Sequence, residues 1–331
     1  MDEAGEKLPV TRLTGLVLML ACFAMQAVAA DMTQPLPARN LYPPMMRFFD
    51  PVPDSALRRY TQAWSFELNQ HYATMNSFDT YPNPQLLADM ELYVIEPVLR
   101  RSLGDTLELS LRAPVLRPLA GVFDAPIQTF HHLFGMPNGG RQYRPNNSFA
   151  YTFDNTRGAS WQGRDRWELG NVEVSGRYRL GEGRGWALAA LAAVKLPTAS
   201  KARGWGSGAA DLGAGVVASW EEGLWFGHVE GWVVQPMAND VPGVRYVTYL
   251  RGSVVAGYRY HDLSWIAQGQ GGSSPYDGTN LRWLDDPPFL ISFGLRGKTQ
   301  GGIGWSATVT ENITQNTTQD ISVSVGLSWP I

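Results

Sequence analysis

Residues 168–197 constrain this chain most, because they alternate. Val172, Val174, Gly176, Tyr178 and Leu180 share one parity, and Asn171, Glu173, Ser175, Arg177 and Arg179 share the other. A period of two marks a strand with one apolar and one polar face. The run Gly181-Glu182-Gly183-Arg184-Gly185 supplies a turn, and Trp186, Leu188, Ala190, Ala192, Val194 and Leu196 share one parity of a return strand. Its other parity is mostly alanine, with Leu191, up to Lys195. Each arm holds about ten residues or more, enough for a tilted β-strand to cross a bilayer.

The pattern recurs on both sides of this hairpin. Strands are expected at Tyr60–Met75, Leu87–Leu99, Thr106–Val115 and Ser148–Phe153 before it. After it come Asp211–Trp220, Leu224–Val234, Tyr246–Tyr260 and Leu263–Gly271. Three more close the chain, marked by Phe289 to Leu295, Ile303 to Val309 and Asp320–Ile331. Short links such as Arg100 to Asp105 and Glu221-Glu222-Gly223 alternate with long polar loops, as the two ends of a membrane barrel require. The expected fold is therefore all-β: a transmembrane, antiparallel, up-and-down barrel of about twelve strands, within a range of about ten to fourteen. Trp186, Trp220, Trp225, Tyr258, Trp265, Trp305 and Trp329 lie near strand ends, where aromatic girdles form. A soluble β-sandwich would also alternate, so the export signal and the strand length decide for the barrel.

That signal is residues 1–30. Lys7 and Arg12 precede an apolar run from Leu13 to Phe23, which ends in Ala27-Val28-Ala29-Ala30. Cys22, the single cysteine, falls inside it, so the mature chain forms no disulfide and holds no cysteine-based metal site. Removing the signal leaves 25 basic and 27 acidic residues, a near-neutral balance that argues against a nucleic-acid partner. No cofactor is expected. The expected address is the bacterial outer membrane, with membrane lipids around the barrel, and the alternating C-terminal strand resembles the terminal strand of bacterial outer-membrane barrels, which implies recognition by the outer-membrane assembly machinery. That strand ends in Trp329-Pro330-Ile331 rather than in an aromatic residue.

Residues 31–58 form an irregular, proline-rich segment, with Pro35, Pro37, Pro43, Pro44, Pro51 and Pro53. Phe48 and Phe49 give it something to bury, either at the periplasmic mouth or in the lumen; a disordered leader is the alternative. The barrel itself is assigned to residues 59–331. One short helix is expected near residues 123–134, with Asp124 at its N-cap, Pro126 in its first turn and Gly135 at its end. It would cross or plug the barrel mouth, or pack as a loop helix on the rim. His131 and His132 point about 100° apart on such a helix, a poor metal pair.

On the polar parity stand Glu108, Arg112, Asn171, Glu173, Arg177, Arg179, Asp211, Arg251, Arg259 and Arg296. In a closed barrel they line the lumen. Mixed charges there either select solutes or pair with one another and fill the bore. The expected function is a channel or transporter; the alternative is a structural barrel without an open path.

Several stretches resemble known barrels. Glu168-Leu169-Gly170-Asn171-Val172-Glu173-Val174-Ser175-Gly176-Arg177-Tyr178-Arg179, Lys195-Leu196-Pro197-Thr198 and Gly206-Ser207-Gly208-Ala209-Ala210-Asp211-Leu212-Gly213 are similar to pieces of barrels linked to the meta-pathway of phenol degradation. Over the mature chain, residues 123–135 and Thr310-Glu311-Asn312-Ile313 resemble an uncharacterised family of bacterial outer-membrane barrels. The resemblance implies a barrel that takes up small hydrophobic or aromatic solutes.

An outer-membrane lipid hydrolase is the less favoured reading. His71 with Ser65 or Ser77 would be its base and nucleophile. The chain contains no Gly-x-Ser-x-Gly and neither zinc-protease motif, and it is read as a non-enzyme.

Overall fold

The computed structural model describes residues 31–57, 63–79, 85–135, 141–155, 158–314 and 317–331; the signal assigned to residues 1–30 lies outside them. Twelve antiparallel strands form a closed barrel. They are β1 (Trp64–Asp79), β2 (Gln85–Leu103), β3 (Leu107–Arg112), β4 (Glu173–Gly183), β5 (Trp186–Lys195) and β6 (Asp211–Glu222). The second half is β7 (Trp225–Pro236), β8 (Tyr249–Tyr260), β9 (Leu263–Gly272), β10 (Phe289–Lys298), β11 (Gly304–Asn312) and β12 (Ile321–Pro330). Each pairs with the next, and β1 closes on β12 from Ser65↔Pro330 to Thr74↔Ile321.

The outer face carries the apolar parity. Leu109, Leu111, Val174, Tyr178, Leu212, Val254 and Val323 are all exposed rather than gathered in an interior. That is the arrangement of a wall facing lipid. Short turns, such as the pair His261-Asp262 with His261 at φ 54, sit at the end that holds Trp64 and Ile331. Long loops sit at the other end. A barrel with this asymmetry places its short turns in the periplasm.

The aromatic residues expected at both borders fall at one. Trp186, Trp225, Trp265 and Trp305 start strands at the short-turn end, and Trp220, Tyr258 and Trp329 end strands there. Trp329 packs on Phe66 at 4.9 Å between ring centroids, across the closing seam.

Several boundaries differ from the sequence expectation. β1 starts at Trp64; Tyr60 lies outside the described residues. β3 stops at Arg112 and resumes as Val115–Leu119, because Pro114 has no N–H to give the ladder. Ala150–Asp154 is not a barrel strand but extends the sheet above β2, pairing Gln85–Asp89. Arg245–Tyr246 leaves β8 to pair with Tyr276–Asp277 among the loops.

Helix α1 (Pro43–Met46) begins with two prolines, whose fixed φ suits a first turn. Helix α2 (Asp124–Phe134) forms as expected. It neither crosses nor plugs the mouth: Val122, Phe123 and Leu133 are exposed, and Phe123 packs on the outward-facing Tyr72. Asp124 holds Arg141 and the backbone N–H of Asn147 with its carboxylate. The side chain of His131 lies outside the described residues. A third helix, α3 (Arg282–Asp285), lies in the loop before β10.

Candidate functional site

The lumen is occupied by the chain's own proline-rich segment, residues 31–57. Its partners along the strands show its path. Thr33 and Pro35 meet His228 and Arg296 near the short-turn end. Leu36 and Ala38 meet Gln268 and Gln270 farther up. Helix α1 and Arg47 reach Gly206 and Tyr276 among the long loops. The chain then turns back: Phe49 meets Asp211, Asp54 meets Glu230, and Ala56 meets Ser219 near the foot of β6. The segment rises to the loop end and descends again, passing through the lumen twice.

Proline-rich chain cannot satisfy its own backbone in a ladder, so the wall does it with side chains. Gln268 accepts from the Leu36 N–H at 3.1 Å, and Gln319 accepts from the Leu41 N–H at 2.8 Å. Asp211 accepts from the Phe49 N–H at 2.7 Å, and Glu230 accepts from the Asp54 N–H at 2.7 Å. Lys195 and Asn171 donate to the carbonyls of Arg47 and Met46 at 2.9 and 3.1 Å.

Two ionic clusters fix the segment. Arg39 reaches Glu96 on β2 at 2.7 Å and Glu173 on β4 at 2.9 Å, and Arg112 on β3 contacts both carboxylates from the other side. The four side chains make a ring of alternating charge, buried throughout. On the opposite wall, Arg251 meets Asp50 at 2.7 Å.

The upper lumen is apolar, contrary to the polar interior the alternation suggests. Leu41, Tyr42, Met45, Phe48 and Phe49 of the segment share a core with Met75, Leu86, Met90 and Leu92 of the wall and with Tyr151, Trp161 and Trp205 of the loops. Arg47 lies over the Trp161 ring at 4.0 Å. Where the segment comes closest the wall carries small residues. A Cβ on Gly213 would sit 3.0 Å from Phe49, and the inward row of β5 is Ala187, Ala189, Leu191 and Ala193. Little space is left. A cavity of about 20 Å³ lies between Asp50 and Ser253, and one of about 40 Å³ between Val52 and Arg177. Each has room for no more than one or a few waters.

A family model described as "Protein of unknown function (DUF3187)" matches residues 11–331. The chain belongs to this family. No curated protein matches it. Among solved structures it is similar to an outer membrane channel from Pseudomonas putida F1, with TM-score 0.52 and 11% identity over 83% of this chain and 98% of that one. It is also similar to the NanC porin (TM-score 0.48, 10% identity, 80% of this chain and 100% of that one). The P. putida toluene transporter TodX aligns at TM-score 0.39 and 8% identity, over 82% of this chain and 91% of that one. The first of these likenesses shows the fold, an outer-membrane β-barrel.

In this DUF3187 barrel all ten charged or polar residues singled out from the sequence lie on the inward parity. Glu108, Arg112, Asn171, Glu173, Arg177, Asp211 and Arg251 are buried, and Arg179, Arg259 and Arg296 are half-buried. Arg177 donates to the Ser55 carbonyl and reaches Glu108 at 3.4 Å. Arg259 and Arg179 are apart from the segment, paired with Glu221 and, at 3.0 Å, with Glu182 near the short turns. Sequence reasoning missed Arg39, Asp50, Glu96, Glu230, Gln268 and Gln319. Their signal was a polar residue at inward parity, or a charge inside a proline-rich segment, and neither means anything until the two are threaded together.

His71 is not set out as a hydrolase base. It is buried, its Nδ1 lies 2.7 Å from Ser324 Oγ rather than on Ser65 or Ser77, and its Nε2 faces Glu96 at 3.8 Å. Glu96 is already engaged by Arg39 and Arg112.

Proposed function

We propose that this protein is a gated outer-membrane channel, closed at rest by residues 31–57 and opened when that segment leaves the lumen, for small hydrophobic or aromatic solutes. The observation that carries this is how the lumen is filled. Twelve strands enclose more than their own side chains fill. The filling is a separate run of chain, joined to the wall by side-chain hydrogen bonds and ion pairs as well as by the shared apolar core. Each such bond exchanges with water at a net cost of about 0.5–1.5 kcal/mol. The space it would vacate is lined above by Met75, Met90, Leu92, Tyr151 and Trp205, which suits an apolar solute better than a sugar or an ion. Lower down, Glu108, Arg112, Arg177 and Arg251 would line the path. Residues 1–30 serve as the export signal, residues 59–331 form the barrel, and the last strand is read by the assembly machinery. The resemblance to phenol meta-pathway barrels agrees with the solute class.

A second reading, a structural barrel with no path, is favoured by the continuity of the apolar core between segment and loops. Conductance in planar bilayers separates them. Intact protein is expected to be silent or to open rarely. A chain lacking residues 31–57, or carrying Arg39→Gln with Asp50→Asn, is expected to conduct steadily and to pass toluene-sized solutes into liposomes. If neither variant, folded and inserted, passes ions or solute, the channel reading fails.

A further inference from the structure

We propose that helix α2 lies in the plane of the outer leaflet with one apolar flank among the acyl chains, a lipid-binding element separate from the strand wall. The loop that carries it clasps the outside of the barrel. Tyr72 on β1 and Asp89 and Glu91 on β2 stand on the outward parity, opposite to the lumen-facing His71 and Glu96. Glu91 accepts from the N–H groups of Val122 and Phe123 at 2.9 and 2.6 Å. Asp89 accepts from Arg144 and Ser148 at 2.6 and 2.7 Å. The height follows from the strand. Trp64 starts β1 at the short-turn end, and Tyr72 stands eight residues on, in register with Tyr93. That is about 26 Å along a strand, or about 20 Å of height at a tilt of about 40°. An apolar band about 25 Å tall therefore runs past Tyr72. The wall itself turns polar there: Thr74, Asn76, Asp89 and Glu91 are outward and buried. What continues the apolar surface is Phe123, packed on Tyr72 at 5.6 Å between ring centroids.

The helix has two unlike flanks. Asp124 and Gln128, one turn apart, face the rest of the loop: Asp124 holds Arg141 and the Asn147 N–H, and Gln128 donates to Asn146 at 2.8 Å. The opposite flank carries Pro126, Thr129 and Leu133, at spacings of three and four, and all three are exposed. Thr129 turns its hydroxyl back to the Ala125 carbonyl at 2.8 Å, which leaves its methyl outward. Leu133 is 75% exposed, and Val122 just before the helix is 65% exposed. Residues 125–135 contain no acid, lysine or arginine. A helix flank turned to water is ordinarily polar or charged. An uncharged flank continuous with a lipid-facing wall, at the upper edge of the apolar band, suits acyl chains instead.

The test uses the full chain, with Cys22 replaced by serine, in phosphatidylcholine bilayers brominated on their acyl chains. A bimane label is placed at Thr129→Cys, at Leu133→Cys, or at Asn146→Cys behind the helix. Bromine is expected to quench the labels at positions 129 and 133 at least threefold more than the label at 146, and iodide in the buffer is expected to show the reverse order. Leu133→Glu, a charge set on the same flank, is expected to cut bromine quenching of the label at 129 at least twofold. Heat-modifiable gel migration checks that each variant is a folded barrel. Equal bromine quenching at 133 and 146 would put the flank in water and overturn the proposal. Disulfide linkage of two chains through Leu133→Cys, without bromine quenching, would assign the flank to a second copy and overturn it too. Unchanged quenching at 129 in folded Leu133→Glu would likewise count against it. None of these outcomes depends on whether the lumen opens.

Discussion

The carboxylate of Asp50 ties three runs of chain together: it accepts from Arg251 of the wall at 2.7 Å and from the Asn40 N–H at 3.2 Å. One acid thus joins the descending limb of the lumen segment to its ascending limb and to β8. Asp50→Asn keeps an acceptor for Asn40 but leaves the buried Arg251 without its counter-charge. Loss of one partner of a buried pair costs about 3–5 kcal/mol. The variant is expected to insert normally and to show frequent channel openings. Arg251→Met in the same chain should restore part of the closure, with a coupling of about 1–3 kcal/mol in the double-mutant cycle.

Gly213 leaves room for Phe49, so a branched side chain there is expected to displace the segment and not the barrel. Gly213→Val should raise proteolysis at Arg39 and Arg47 in native membranes, with overpacking of about 1–3 kcal/mol behind it. Ala214→Val, one residue on and facing lipid, should leave proteolysis unchanged. Digestion followed by mass spectrometry reads both.

The outward parity of β12 makes a complementary case. Val325→Arg faces lipid mid-strand, and a cation near the midplane costs about 2–4 kcal/mol. It should lower the yield of inserted barrel severalfold. Ser324→Ala faces the lumen and removes the hydroxyl bonded to His71, and should insert like the parent. Heat-modifiable gel migration separates inserted from unfolded chains.

Acidity should act at the loop end through Asp320. Burial pushes its carboxyl up and Arg141 pulls it back only in part, leaving it at about 6. A carboxyl raised in the folded state disfavours folding when ionised, so its penalty applies above about pH 6 and is relieved as pH falls from there toward the unfolded value near 4. Thermal unfolding should therefore move upward from pH 7 to pH 5, and Asp320→Asn should remove that part of the slope. An unchanged slope in Asp320→Asn would count against the assignment.

Most of the wall was legible in the sequence. Val174, Tyr178, Leu212 and Val323 face outward as their parity says, because lipid imposes the same demand on every strand. The lumen segment was not legible as a path. Its prolines erase any period, and the groups that position it lie far away in sequence: Gln268 meets Leu36 across 232 residues. One trace of it was present. The inward alanines of β5 are too small to fill a bore by themselves, so they imply a neighbour. On β2 the inward residues Leu86, Met90 and Leu92 read as apolar on the wrong face until the segment covers them.

The central claim is that residues 31–57 lie inside the barrel. A cysteine pair tests it directly: Ala38→Cys with Gln270→Cys, whose side chain reaches the Ala38 carbonyl at 3.2 Å in the native chain, set against Ala38→Cys with the outward Ala267→Cys. With Cys22 replaced by serine and a short bifunctional maleimide added to native membranes, the first pair should cross-link and the second should not. Free labelling of the Ala38→Cys thiol by a bulky maleimide, with no link to position 270, would place the segment outside the lumen and contradict the account.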